Sequence, residues 1–205
     1  MDKELASGLV IAAPASGSGK TVVTLSLLRA LKNSGVNAAS FKIGPDYIDP
    51  AYHAAASGDL CRNLDFWAMR EDTLHRQRVS TVEESDLVIT EGVMGLFDGA
   101  TTGAIKNNGS TADAANWLNW PVLLVVDAKS QGASAAALVE GFTNHREDIT
   151  VAGVIFNRVG SLNHETILRE ALATTGLPCL GCIPRRAGLD LPSRHLGLIQ
   201  AKELP

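Results

Sequence analysis

A glycine-rich segment near the N-terminus carries the residue types that bind phosphate. From Leu9 to Thr21 the chain reads LVIAAPASGSGKT, an apolar strand pattern followed by Gly17, Gly19 and a Lys-Thr pair. Glycines let consecutive backbone N–H groups point into one concavity, and the positive N-terminal end of the following helix adds to it. Lys20 is then expected to reach the terminal phosphates, and Thr21 a magnesium ion. The segment predicts a site for the cofactors ATP and Mg²⁺.

The segment departs from the strict phosphate-loop pattern G-x-x-x-x-G-K-[ST] at one position. Pro14 stands where the first glycine is expected. An ordinary glycine-rich turn is the alternative, but the apolar strand before the loop and the apolar-faced helix after it favour the phosphate loop. The predicted nucleotide-binding residues are Ser16, Gly17, Ser18, Gly19, Lys20 and Thr21.

A second stretch supplies an acid for the metal. DLVITEG, from Asp86 to Gly92, is an apolar, β-branched strand pattern that ends in Glu91. Beside the phosphate-loop strand, such an acid would lie near the magnesium, as in a Walker B element. The chain continues VMGLFDG, where glycines flank Asp98 and a ligand can approach closely. The alternative for Asp98 is a tight turn in which it makes only local hydrogen bonds.

A third stretch joins a strand to a proline- and aspartate-rich loop. The strand predicted over 36–42 ends at Lys42 and runs into GPDYIDP. In an open α/β sheet this strand edge is where ligands bind, so the loop would lie on the same side as the phosphate loop. We expect Asp46 to be a ligand and Asp49 to cap the helix PAYHAAAS. His53, within that helix, is interpreted as structural.

The order of elements predicts the fold class. Further apolar strands are expected over 121–128, 149–159 and 178–184, with helical patterns between them. Alternation of nearly continuous apolar strands with helices predicts an α/β fold of the P-loop NTPase type, a mostly parallel sheet with helices on both faces. We expect one domain over residues 1–205. The segment 101–110, rich in Gly, Asn and Thr, is predicted to be a mobile loop over the site.

Composition excludes several classes of partner. The net charge of −4 gives no general attraction to nucleic acid or anionic membrane. No apolar run is long enough for a membrane span and the N-terminus lacks a signal-peptide pattern, so we expect a cytoplasmic protein. The three cysteines argue against a disulfide framework. Cys179 and Cys182 form C-x-x-C within an apolar strand pattern, where positions three apart are expected to face opposite sides.

Four segments together carry a resemblance to a known family. APASGSGKT, FKIGPDYIDPAYH, EGVMGLFDG and LPSRHLGL resemble the N-terminal synthetase domain of cobyrinate (or hydrogenobyrinate) a,c-diamide synthases, over almost the whole chain. The phosphate loop alone would indicate only the wider dethiobiotin synthetase-like group. The resemblance implies ATP-dependent amidation of the a and c acetate carboxylates of a corrinoid, through an acyl phosphate, with ammonia from glutamine.

The resemblance also implies roles for particular residues. Asp46, Glu91 and Asp98 match family positions implicated in metal binding or catalysis, and Tyr47 and Ile48 match the segment that presents the substrate carboxylate. Asn157 is similar in position to the adenine-reading asparagine of dethiobiotin synthetase-like enzymes. The resulting site assignments are as follows: catalytic Lys20, Lys42, Asp46, Glu91 and Asp98; metal-binding Thr21, Asp46 and Glu91; substrate-binding Tyr47 and Ile48; nucleotide-binding the loop residues and Asn157.

The family's glutaminase domain has no counterpart in these 205 residues. None of the three cysteines stands on the glycine-flanked elbow of a glutaminase nucleophile, so a further domain or another ammonia source is expected. A homodimer is left open. Alternatives are amidation of another tetrapyrrole, as by nickel sirohydrochlorin a,c-diamide synthase or cobyric acid synthase, and a ParA- or MinD-like ATPase switch. The switch proteins place a signature lysine where this chain has Ala15.

Overall fold

The fold rests on one parallel sheet. The computed structural model describes residues 7–100 and 108–186, with two further backbone strands at 193–194 and 197–198. Residues 101–107 of the loop predicted over 101–110, and half of LPSRHLGL, lie outside the described residues. Seven strands are hydrogen-bonded in the order β3-β2-β4-β1-β5-β6-β7, and all neighbours are parallel. The strands are β1 Ser7–Ala12, β2 Ala38–Ile43, β3 Cys61–Leu64, β4 Leu87–Glu91, β5 Val122–Asp127, β6 Val151–Val159 and β7 Cys179–Pro184.

Helices cover both faces of the sheet. They are α1 Lys20–Asn33, α2 Asp49–Ser57, α3 Glu71–Glu83, α4 Thr111–Leu118, α5 Ser134–Asn144 and α6 Leu162–Ala173. Leu28 of α1 and Ala56 of α2 belong to one apolar cluster, and buried residues of α3 to α6 belong to the other. A sheet covered on both sides needs strands that are apolar throughout, which is why β1, β4 and β5 read as continuous hydrophobic runs. The predicted α/β fold class is confirmed.

Helix boundaries follow from local chemistry. The Ser110 hydroxyl accepts from the N–H of Asp113, and the Asp113 carboxylate accepts from the Ser110 N–H, so α4 begins at a complete capping box. At the start of α6 the Ser161 hydroxyl accepts from the N–H of His164. α2 ends at Gly58, whose φ of 80° is the left-handed conformation that glycine adopts without strain. The N-cap of α4 is therefore Ser110.

Strand β3 was not predicted from the sequence. Cys61–Leu64 pairs in parallel with β2, placing Asn63 beside Lys42 at the edge of the sheet. The segment CRNL is short and carries Arg and Asn, so it lacks the apolar run by which the inner strands were found. An edge strand tolerates such residues because only one of its sides must pair.

The expectation that Cys179 and Cys182 face opposite sides of their strand is wrong. Cys179 lies beside Val154 and Cys182 beside Phe156, two residues of β6 that point to the same face, while the register shifts in between. This β-bulge admits one extra residue on β7, so positions three apart regain the same face. The two sulfur atoms lie 3.8 Å apart.

Among the described residues, no helix has the length and apolar character needed to cross a membrane.

Candidate active site

The phosphate loop joins the end of β1 to the start of α1. Gly17 and Gly19 have φ angles of 77° and 102°, so both need the left-handed region that favours glycine. A Cβ atom at Gly19 would also lie 2.1 Å from the side-chain nitrogen of Asn157. No acidic residue lies in the first turn of α1, which leaves its positive N-terminal end available to an anion. Sequence and geometry thus agree on a phosphate-binding loop.

Residues near the carboxyl ends of β5 and β6 support this loop through hydrogen bonds. The Asn157 amide nitrogen donates to the carbonyl oxygen of Ser18 at 2.9 Å. Arg158 donates to the carbonyl oxygen of Gly17 at 2.8 Å and pairs with Asp127 at 2.7 Å. The sequence prediction assigned no role to Arg158 or Asp127, although both lie at or next to the carboxyl end of a strand. Asn157 supports the loop in this structure, and its contact with adenine stays a prediction.

Glu91 is the centre of the buried polar cluster. It ends β4, in register with Ile11 of β1 and Lys42 of β2, and is 1% exposed. Its Oε1 accepts from the Thr21 hydroxyl at 2.6 Å and from Lys42 Nζ at 3.0 Å. Its Oε2 lies 2.7 Å from Nε2 of His53. The strand-end acid therefore reaches the phosphate-loop threonine, as the Walker B interpretation requires.

The surrounding cations keep Glu91 ionised. Burial alone would raise the pKa of Glu91, but the hydrogen bond from His53 and the charge of Lys42 outweigh burial and hold it at about 2. Lys42 is buried as well, yet Glu91 and Asp49 raise its pKa. Lys20 differs, because burial and the like charge of Lys42 lower its pKa. Among the described residues no carboxylate forms an ion pair with Lys20, so this cation is suited to meet a phosphate.

The roles expected of Asp46 and Asp49 are partly exchanged. Asp49 is not the N-cap of α2: it lies inside the first turn, is buried, and contacts Lys42 Nζ at 2.7 Å. Asp46 accepts through Oδ1 from the N–H groups of Ile48 and Asp49, at 2.8 and 3.1 Å, and so does the capping. The pKa of Asp49 is raised by burial and by Glu91, which competes for the same lysine. A ligand role for Asp46 stays a prediction.

His53 contacts Glu91, which the sequence did not indicate, and its interpretation as a structural residue stays a prediction. It is fully buried, with Nε2 on Glu91 and Nδ1 3.3 Å from the sulfur of Cys61. Although burial opposes a charged ring, the hydrogen bonds with Cys61 and Glu91 raise its pKa to about 9. The spacing carried a signal: Asp49 and His53 are four apart on α2, so they share the face that Asp49 turns toward Lys42.

The other predicted residues lie around the buried cluster. Lys20 Nζ donates to the carbonyl oxygen of Met94, in the loop after Glu91. Asp98 accepts from the N–H of Gly95 at 2.8 Å. This is the kind of local hydrogen bond expected under the alternative interpretation, a tight turn. Tyr47 is 78% exposed and Ile48 half-buried, in the loop between Lys42 and α2. The loop is therefore placed to contact a molecule outside the buried cluster.

The His53–Glu91 contact predicts a pH dependence of stability in metal-free buffer. The folded pKa of His53, about 9, exceeds its unfolded value of 6.5, so its contribution is complete below pH 6.5 and is lost as the pH rises through 9. We expect the free energy of unfolding in urea to fall by on the order of 1 to 3 kcal/mol between pH 6.5 and 9.5. His53→Gln should lose most of this slope.

The control for that experiment is His75→Gln, because His75 is half-exposed on α3. This variant should keep the wild-type slope. Equal slopes for wild type and His53→Gln would show that the ring is not held as a cation.

Two hydrogenobyrinate a,c-diamide synthases are similar in sequence to this chain over most of its length. Hydrogenobyrinate a,c-diamide synthase of Brucella ovis is 56% identical over 197 residues, which cover 96% of this chain and 44% of that protein. The synthase of the same name from Rhizobium meliloti is 53% identical over 197 residues, covering 96% and 45%. The chain therefore spans less than half the length of these curated relatives.

Solved structures share the fold at low sequence identity. Chloroplast FtsY from Physcomitrella patens superposes with a TM-score of 0.60 at 19% identity, covering 90% of this chain and 61% of that one. The hydrogenase maturation factor HypB of Archaeoglobus fulgidus gives a TM-score of 0.50 at 13% identity, covering 88% and 81%. These likenesses concern the arrangement of the sheet and helices.

A family model described as the CobQ/CobB/MinD/ParA nucleotide binding domain matches residues 9–199. The match begins in β1, and so includes the phosphate loop, Glu91 and the loop that presents Tyr47. With the geometry above, it shows that this chain belongs to the CobQ/CobB/MinD/ParA nucleotide-binding family.

Proposed function

We propose that this chain carries out the ATP-dependent amidation of the a and c acetate carboxylates of hydrogenobyrinate or cobyrinate. The observation that carries the proposal is the convergence of Thr21, Lys42 and His53 on Glu91, directly behind the phosphate loop. The names of relatives more than half identical to this chain support the tetrapyrrole substrate. The proposal therefore rests on the glycine-rich loop with its neighbouring cluster and on a substrate suggested by similarity.

The reaction needs a carboxylate to become an electrophile. Transfer of the γ-phosphoryl group of ATP to a substrate carboxylate gives an acyl phosphate and ADP, and ammonia then displaces phosphate to leave the amide. Two anions must be brought together, so cations have to offset their repulsion. Lys20 and Lys42 are proposed for this role, because Lys20 follows the loop and Lys42, near the end of β2, lies beside Glu91 of β4. Asp98 is proposed to act from the loop that Lys20 contacts.

The donor set behind the loop suits Mg²⁺. Magnesium usually takes one or two carboxylates, substrate phosphates and water, and needs no all-protein cage. Thr21 and Glu91 offer a hydroxyl and a carboxylate oxygen 2.6 Å apart, and Asp46 is proposed as a further acid at the same edge. When bound, the ion would neutralise charge on the β- and γ-phosphate oxygens. His53 and Lys42 keep Glu91 charged and in place.

The loop between Lys42 and α2 is proposed to present the substrate. Asn63 of β3 donates to the carbonyl oxygens of Gly44 and Asp46, at 2.8 and 2.7 Å, which ties this loop to the sheet. Tyr47 and Ile48 then extend from a fixed base. A corrin ring carries several carboxylates and is larger than a small pocket, so an exposed aromatic ring beside the phosphate site suits it.

The nitrogen donor is predicted to be free ammonia when this chain acts alone. Cys61 is buried against His53, and the other two cysteines lie on β7, so none occupies a strand-to-helix elbow. With ATP, Mg²⁺ and hydrogenobyrinate, high ammonia should give a product mass about 1 Da lower for each amide formed. Glutamine alone should give none. The tetrapyrrole mass is followed by mass spectrometry.

Two results would contradict the proposal. Conversion with glutamine alone would show a glutaminase site within these residues, and ATP turnover without any change in tetrapyrrole mass would remove the amidation. Lys20→Ala is the negative control, because amide formation depends on ATP and this variant should bind ATP poorly. Parallel reactions with cobyrinate and with nickel sirohydrochlorin test the alternative tetrapyrroles.

The ATPase-switch alternative has less support. Proteins of that kind carry a lysine at the position of Ala15. Their nucleotide state also controls dimerisation, so ATP-dependent dimer formation without amidation would favour a switch. A homodimer that forms regardless of nucleotide would not favour a switch.

A further inference from the structure

We propose that Cys179 and Cys182 form a dithiol site that undergoes thiol–disulfide exchange with low-molecular-weight disulfides. Their sulfur atoms lie 3.8 Å apart, on one face of the edge strand β7. A disulfide joins two sulfur atoms at about 2 Å, so the pair must close by roughly 2 Å to form one. The site does not depend on the proposed amidation.

The β-bulge is what creates the site. In a regular strand these residues would point to opposite faces, and no side-chain rotation would bring the sulfurs together. The register shift puts Gly181 beside Ile155 and leaves Leu180 as the extra residue, so both thiols point toward the side covered by α6. Leu180 itself is 59% exposed. The bulge therefore brings the thiols together at an edge that solvent can reach.

The two thiols differ from the third cysteine in their access to solvent. Cys179 and Cys182 are half-buried, whereas Cys61 is buried beneath α2 with its sulfur on the His53 ring. Burial and the neighbouring Cys179 raise the pKa of Cys182 to about 12, so the thiol is its stable form at neutral pH. The pair should stay reduced until an oxidant is supplied.

The exchange proceeds in two steps. One thiolate attacks a sulfur of the external disulfide, forming a mixed disulfide and releasing one external thiol. The second cysteine then loses its proton and attacks the mixed disulfide, which closes the Cys179–Cys182 bond and releases the other external thiol. Two protein thiols are oxidised and one external disulfide is reduced to two thiols.

The site lies away from the phosphate loop. The neighbours of Cys179 and Cys182 in β6, Val154 and Phe156, belong to the apolar cluster on the side of α3 to α6, opposite the face covered by α1. Arg169 of α6, paired with Glu165 at 2.8 Å, donates to the carbonyl oxygen of Cys179. Oxidation should therefore leave nucleotide affinity within about twofold, since no phosphate-loop contact changes.

The test uses oxidised glutathione and the folded 205-residue chain. We expect the intact mass to fall by about 2 Da, with a disulfide inside the tryptic peptide 170–185, while Cys61 in peptide 43–62 stays a free thiol. Cys179→Ser and Cys182→Ser should each stop at the mixed disulfide, and Cys61→Ser should behave as wild type.

Three results would overturn the proposal. These are stable glutathione adducts on both cysteines of the wild type, equal oxidation of Cys61, and no oxidation of folded chain under conditions that oxidise urea-unfolded chain. Either of the first two would show that the geometry does not select this pair, and the third that the thiols are not reached.

Discussion

Replacing Lys20 by alanine should weaken the binding of Mg-ATP by at least about 2 kcal/mol, or roughly thirtyfold. Lys20 is 7% exposed, and no carboxylate in the described part of the chain forms an ion pair with it, so its charge is available to the phosphates. A contact between a desolvated ammonium group and a phosphate oxygen is stronger than a neutral hydrogen bond. Calorimetric titration of both proteins with Mg-ATP measures the difference.

The matched control is Lys32→Ala, which removes an exposed lysine from the last turn of the same helix. Its affinity should equal that of the wild type. The fold of Lys20→Ala should survive, because the substitution removes a positive charge close to the buried Lys42 and a single bond to the carbonyl oxygen of Met94. Equal affinities for wild type and Lys20→Ala would refute the assignment of the loop.

Much of the site follows from where strands end. Parallel strands bring their carboxyl ends to one edge, so a polar residue that closes an apolar run is expected at the ligand edge. Lys42 and Glu91 both close such runs, and the register places them side by side. Their proximity is a consequence of the fold class, which the hydrophobic pattern indicates. That is why these two residues could be predicted without coordinates.

The contacts between partners could not be predicted in the same way. Asp46 and Asp49 lie three apart in one loop, and either could cap α2 or meet Lys42 by residue type alone. The choice depends on the path of the loop, which Asn63 of the unpredicted strand β3 fixes through two carbonyl groups. Missing the edge strand therefore also meant misplacing the cap.

His53 and the cysteine pair show a second reason why some contacts could not be predicted from the sequence. Sequence patterns describe one element at a time, whereas both features arise between elements. His53 reaches Glu91 only because α2 packs against the edge where β4 ends, and Cys179 meets Cys182 only because β7 bulges against β6. Helical spacing predicts which face of α2 carries His53, but its contact with Glu91 depends on the tertiary fold.

Glu91→Gln and Asp46→Asn should lower turnover much more than they lower the affinity for ATP. Glutamine keeps the shape of Glu91 but removes the charge that balances Lys42 and His53, and puts an amide nitrogen among hydrogen-bond donors. Asparagine keeps the Oδ1 acceptor with which Asp46 caps α2, so only its charge is lost. Removing a contact made chiefly in the transition state lowers turnover more than it lowers ground-state affinity. We expect turnover with ammonium as nitrogen donor to fall at least about a hundredfold for Glu91→Gln.

Two measurements separate catalysis from folding in these variants. Urea unfolding at the assay temperature shows whether each variant is folded, which matters most for Glu91 because it is fully enclosed and accepts from three side chains. Glu84→Gln, an exposed change at the end of α3, should match the wild type in both turnover and stability. Since Asp46→Asn preserves the cap, a loss of turnover at wild-type stability assigns the Asp46 charge to the reaction. Folded variants with turnover within about threefold of the wild type would leave both acids with a structural role alone.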